Sequence, residues 1–353
     1  MSIQTINPYQ NNTNYYNKTV TSPNFQGAES NQVNTSTKTG MSTGSKWAVG
    51  IGLTALAAVG IYLATKGKVK PEAFKEIQFQ EAKTVEEAKK FAKDNFGVTY
   101  ENIDDVSCIN FLNEWITKIS KNGKNKKMED YPRFISKMPN EGYDIPFALY
   151  DEPMEYKGIK GYLLGVNTEM FNDFPKAIDC MLKGSENVIK KIKGKFYLSN
   201  DAGVYNTDFV KKFIEKINNV SDKTSFKEKM QIITDLSRIN QGEPVKGKIK
   251  EANFSVYLTL NHELGHLKHQ ILTKDYSKMK KIIEYEEKNE PVSKITQEFI
   301  NSKEIQDTAS KVSDYSKESP LEFVAETYAR LLDGQKFDDD VMALYKKYHG
   351  PEV

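Results

Sequence analysis

The sequence predicts an α+β domain behind one apolar N-terminal helix, and three observations carry that expectation. Residues 47–65 (WAVGIGLTALAAVGIYLAT) run nineteen positions without a charge between Lys46 and Lys66. Beyond them, helical 3.6-residue patterns alternate with short β-like pieces rather than repeating as regular βαβ units. Three of the four histidines, His262, His266 and His269, fall within eight positions of one another, just after the apolar run 254–260 (FSVYLTL).

Residues 1–46 are rich in Asn, Thr, Ser, Gln and Gly, and their only charges are Lys18, Glu29, Lys38 and Lys46. Such a stretch buries too little apolar surface to offset its ordering entropy, so a disordered polar tail is expected. A flexible tail is the simpler reading of it than a sorting or secretion signal. At 1.5 Å per residue, 47–65 would span about 28 Å of hydrocarbon, which fits a transmembrane helix with Trp47 and Tyr62 near its interfaces. The run starts after a long tail and exceeds the usual apolar core of a cleaved signal, so an uncleaved single-pass anchor is expected. Lys66, Lys68, Lys70, Lys75 and Lys83 follow it while Lys38 and Lys46 precede it, and this imbalance leans the following domain towards the cytoplasmic side.

Residues 66–140 read as a helical spacer or accessory region. Thr84-Val-Glu-Glu87 is a capping box, opening a helix through Ala88, Phe91 and Ala92 that ends near Gly97. A second helical pattern covers 109–119, with Phe111, Leu112, Trp115 and Ile116 on one side. The basic run 118–127 (KISKNGKNKK) reads as a solvated loop. No nucleic-acid partner is expected, since the chain is only +2 overall and no aromatic residues interleave with those lysines.

About 285 residues follow the apolar run, enough for a sizeable core, and 141–353 are expected to form the main domain. Strand-like pieces lie at 145–150, 161–166 and 195–199, and helical patterns at 208–218 and 225–239, before a loop at 240–244. Cys108 and Cys180 are the only cysteines, so no disulfide framework is available.

The stretch 261–266 (NHELGH) carries the chemistry. On a helix, residues four apart share a face, so His262 and His266 present two imidazoles to one ion. Glu263 lies about 100° round the helix and reaches a zinc-bound water rather than the zinc. Zinc with three protein ligands keeps its fourth place for water, lowers that water's pKa to roughly 7, and lets a carboxylate take its proton as a carbonyl is attacked.

A third ligand is needed, and two candidates compete. His269 shares the helix, but three side chains in line along one helix do not close a tetrahedron. The alternative is a carboxylate of 318–332 (ESPLEFVAETYARLL), where Ser319-Pro320 marks a helix start and Glu322 and Glu326 lie i to i+4. One of these could bind zinc while the other hydrogen-bonds a ligating histidine.

HELGH, with a tyrosine seven residues before the first glutamate of Glu322-Phe323-Val324-Ala325-Glu326, resembles the gluzincin-type zinc protease domain of the anthrax lethal factor family, which includes bacterial Pro-Pro endopeptidases. The resemblance covers roughly the last hundred residues. It implies a zincin-like fold, an active-site helix beside a small sheet followed by a mainly helical C-terminal part. It implies one zinc per chain held by His262, His266 and Glu322, with Glu263 as general base and Tyr315 donating its phenol to the oxyanion. Glu326 would orient a zinc ligand. A phenol in a water-excluded site also stabilises developing negative charge on general grounds, by about 3 kcal/mol for one such donor.

The sequence departs from that pattern between His266 and Glu322, where Lys274, Lys278, Lys280, Lys281 and Lys288 mark a long lysine-rich segment. It is expected to form an extra helix or lid that shapes substrate access. No residue pattern points to proline-directed cleavage. The expected function is a membrane-anchored zinc metalloendopeptidase acting on protein or peptide substrates. The alternative is a catalytically silent zinc domain that tethers a protein partner at the membrane, which has no use for Glu263 or Tyr315.

Overall fold

Thr84 accepts a hydrogen bond from the Glu87 N–H and the Glu87 carboxylate accepts one from the Thr84 N–H. Helix α1 (Val85–Phe96) therefore begins where the capping box places it, and Gly97 closes it at φ 65°, a left-handed conformation that costs glycine little. The computed structural model describes residues 77–121, 131–138, 143, 145–149, 154–156, 158–200, 207–240, 254–272 and 294–353. The polar tail, the apolar run 47–65, most of the basic loop and the lysine-rich segment lie outside the described residues. Among the described residues no helix is long and apolar enough to cross a membrane.

The order after α1 is β1 (Thr99–Glu101), α2 (Val106–Ser120), β2 (Phe134–Lys137), β3 (Phe147–Leu149), β4 (Met154–Tyr156), β5 (Ile159–Gly161) and β6 (Leu163–Val166). Next come α3 (Thr168–Asn172), α4 (Phe174–Met181), β7 (Ile189–Ile192), β8 (Lys195–Leu198), α5 (Thr207–Asn218) and α6 (Phe226–Asn240). The C-terminal part is helical: α7 (Leu258–Leu272), α8 (Lys294–Asn301), α9 (Lys303–Ala309), α10 (Pro320–Leu332) and α11 (Asp339–Lys347). The fold is α+β, with one small mixed sheet.

That sheet has the order β1-β2-β6-β3. β1, β2 and β6 run parallel, and β3 runs antiparallel to β6 with Ala148 opposite Gly165. β4–β5 and β7–β8 are separate hairpins. Residues 66–140, read as a spacer, thus supply β1 and β2 to the sheet that 141–353 completes. One apolar core runs through both stretches, including Ile109, Trp115, Leu164, Leu260, Leu264, Phe323 and Tyr328. α1 packs against β1 and α7 against β3.

The apolar run 254–260 is helical only from Leu258 on. Ser255 turns the chain first: its hydroxyl accepts from the Tyr257 N–H and its carbonyl from the Leu258 N–H. α10 starts where Ser319-Pro320 predicts, with the Ser319 hydroxyl accepting from the Glu322 N–H at 3.2 Å.

α7 packs against both β3 and α10. The approach of α7 to α10 is set by Gly265, where an added Cβ would sit 2.9 Å from the Ala325 Cα and 3.1 Å from its carbonyl oxygen. Backbone cannot step aside as a side-chain tip can, so the helices would have to part. Gly265→Ala is expected to lower stability by about 1–3 kcal/mol despite alanine's better helix propensity. A thermal melt checks this, and a Tm equal to or above the parent's would contradict the crossing geometry.

Candidate metal centre

α7 and α10 cross with His262, His266 and Glu322 facing one another. Each of the three offers one donor atom, and all lie within 4.8 Å. His262 Nε2 and His266 Nε2 are 3.0 Å apart, and Glu322 Oε2 lies 3.1 Å from the first and 3.5 Å from the second. Ligands at about 2.1 Å from one ion on a tetrahedron would be separated by roughly 3.4 Å, so the spacing fits one small ion. Glu322 Oε2 is also buried without a hydrogen-bond partner, although buried polar atoms are nearly always satisfied. The three side chains retain only 10–18 % exposure. They could hold a metal ion.

The protonation pattern agrees with such a site. Burial alone would push the His262 imidazole down, but the carboxylates of Glu322 and Glu326 outweigh it and push it up to about 10 in the metal-free chain. Burial works against ionised Glu322, yet the facing imidazoles of His266 and His262 hold its carboxyl well below the usual range. Burial raises the Glu263 carboxyl, opposed by the two imidazoles and by a backbone hydrogen bond.

That backbone bond comes from the sheet: the Leu149 N–H of β3 donates to Glu263 Oε2 at 2.9 Å. Glu263 therefore stands between the ligand helix and the edge strand. Among the described residues, β3 pairs with β6 on one side only.

Glu326, one turn after Glu322, sits behind the cluster with its Oε1 2.9 Å from His262 Nδ1. Tyr315 lies on a 3-10 turn (Tyr315–Lys317), its ring centre 5.8 Å from that of His262 at 40°. The expected metal ligands, base, phenol and orienting carboxylate are thus brought together in one place. His269 points elsewhere: it is buried, with Nε2 2.8 Å from the Tyr348 carbonyl oxygen, and burial pushes its imidazole down to about 4.

Several supporting residues were not anticipated from the sequence. Arg238 of α6 spans both oxygens of Glu326. Trp115 Nε1 donates to Asn261 Oδ1 at 3.0 Å, and Asn261 Nδ2 donates to Asp333 Oδ1 at 3.1 Å, tying α2 and the end of α10 to the residue before His262. Ser313 and Ser316 bond reciprocally, hydroxyl to N–H, across the turn that carries Tyr315. Arg330 had a signal in the sequence, since it follows Glu326 at the i+4 spacing of a helical ion pair. The others reach across the fold from elements whose pairing no local pattern announces.

Comparison with protein-family models, curated proteins and solved structures gave no match.

Two outcomes are expected for the metal. Glu322→Ala should lose bound metal, whereas His269→Ala should keep it while melting lower, both read by elemental analysis and thermal denaturation. A Glu322→Ala protein with full metal would remove that carboxylate from the ligand set. Because His262 titrates near 10 without metal, it is protonated at pH 7, and a bound ion must displace that proton. Affinity should therefore tighten about tenfold per pH unit from 7 to 9. Calorimetry in buffers of different ionisation heat would read one proton released per ion, and no release would contradict the assignment.

Proposed function

We propose that the chain is a membrane-anchored, zinc-dependent metalloendopeptidase that hydrolyses peptide bonds of protein substrates. The observation that carries this reading is Glu263: an acidic side chain adjacent to a ligand histidine, beside the ligand cluster and oriented by a backbone amide. A metal site that only braced a fold would have no use for it and would close with four protein ligands. Two imidazoles and one carboxylate are a donor set that suits zinc with a place left open. Bound there, zinc would supply a Lewis acid that polarises a peptide carbonyl and acidifies water.

The chain's own residues do the rest. Glu263 takes a proton from the attacking water and passes it to the leaving amine, and burial tunes its carboxyl upward, closer to working pH, where a general base is most useful. The Leu149 amide fixes one of its oxygens and leaves the other for the proton. Tyr315 supplies a phenol O–H to the oxygen on which charge develops. Among the described residues β3 is the last strand of its sheet, and beside the Leu149 N–H that Glu263 takes its outer edge is where an extended substrate backbone would add as a further strand. The resemblance to the lethal factor family supports the same roles for Glu263 and Tyr315. The uncharged run 47–65 supports the anchor, and the lysines after it support a cytoplasmic catalytic domain.

The test is mass-spectrometric readout of a mixed peptide library incubated with the zinc-loaded full chain beside its Glu263→Ala variant. Cleavage by the parent alone is expected, with zinc bound to both. Zinc in both and cleavage by neither would favour the silent tether, and equal cleavage by both would remove Glu263 from the mechanism. Tyr315→Phe should lower kcat about 10²-fold with zinc content unchanged, in line with the loss of one oxyanion donor; undiminished turnover would overturn that role.

A further inference from the structure

We propose that Arg238 and Arg330 are positioning residues, which clamp Glu326 from two helices and so fix the orientation of His262 towards the metal. The inference rests on the metal-centre reading above and deepens it.

Glu326 Oε2 accepts from Arg238 Nη1 at 2.9 Å and from Arg330 Nη2 at 3.3 Å. Arg238 Nη2 reaches the other oxygen, Oε1, at 3.4 Å. Side-chain exposure is 1 % for Glu326, 3 % for Arg238 and 7 % for Arg330. A fork on both oxygens and a second guanidinium on one of them leave the carboxylate no freedom to rotate. Its remaining lone pair is on Oε1, facing His262 Nδ1 at 2.9 Å.

A carboxylate only accepts, so the hydrogen in that contact lies on Nδ1. In a neutral ring this leaves Nε2 bare, and Nε2 is the atom that faces His266 and Glu322 at 3.0 and 3.1 Å. The clamp therefore selects the tautomer and the ring orientation that a metal needs.

Stability alone does not account for it. Buried ion clusters are often replaceable by apolar side chains at little or no loss of stability. Here the cluster is set directly behind a ligand histidine, with Arg238 brought in from α6. Partners that orient a ligating histidine in this way typically change metal affinity by 10–100-fold when they are removed.

The full chain in detergent micelles is titrated with zinc against a chromophoric chelator, and the His262 Nδ1 proton of the zinc-loaded protein is followed by NMR. With four histidines in the chain, the imidazole signals are assignable. The parent should give a downfield, slowly exchanging Nδ1 proton. Arg238→Met should weaken zinc binding about 10–100-fold and broaden or abolish that signal.

Arg238→Lys keeps the charge pair and loses the fork, and it carries the test should the methionine variant fail to fold. It should bind zinc about tenfold more weakly and exchange the Nδ1 proton faster. A lysine variant that matches the parent in both readouts overturns the clamp, as does one that only melts lower. A parent chain that binds no zinc overturns the metal reading beneath it, which separates the two failures.

Discussion

The contact on which the rest of this structure depends is the backbone-to-backbone approach of α7 and α10 at Gly265 and Ala325. The imidazoles of His262 and His266 project from one helix and the carboxylate of Glu322 from the other. All are short or medium side chains, so they converge within about 3.5 Å only if the helix axes are close. The same closeness lets Glu326 reach His262 from behind. Gly265 is one of the two middle positions of the HExxH motif, free to vary as far as metal chemistry is concerned, and it is fixed here by packing.

What was legible in the sequence was local. The Thr84–Glu87 capping box and the Ser319-Pro320 start each close within four residues, and both helices begin there. The residues expected at the metal centre also meet in the structure, because i, i+4 spacing on two helices needs only that the helices cross. What was not legible is long-range. The Leu149 donor to Glu263, the Trp115 support of Asn261 and the Arg238 clamp on Glu326 join residues 114, 146 and 88 positions apart. The strands of the sheet are three or four residues long, too short for alternation to reveal a face or an edge. For the same reason the contribution of 66–140 to the sheet could not be read from its helical patterns.

Charge alternates through the buried centre: Glu322, His262, Glu326, then the two arginines. Each group meets one of opposite sign or a hydrogen-bond partner, which is the condition for keeping ionised side chains out of water. Glu322 Oε2 is buried without a hydrogen-bond partner, and it faces the two imidazole nitrogens at the point where a cation would sit.

The order of these parts along the chain has a consequence for synthesis. The apolar run 47–65, the sheet and the histidine helix are all made before the last candidate donor, Glu322. Some fifty residues separate His266 from Glu322, and a ribosome adding 5–20 residues per second needs roughly 3 to 11 seconds to cover them. Throughout that interval the nascent polypeptide carries two of the three candidate metal donors and not yet the third. On the reading proposed above, activity would await the docking of the C-terminal helices, because Glu322 and Glu326 both arrive with α10.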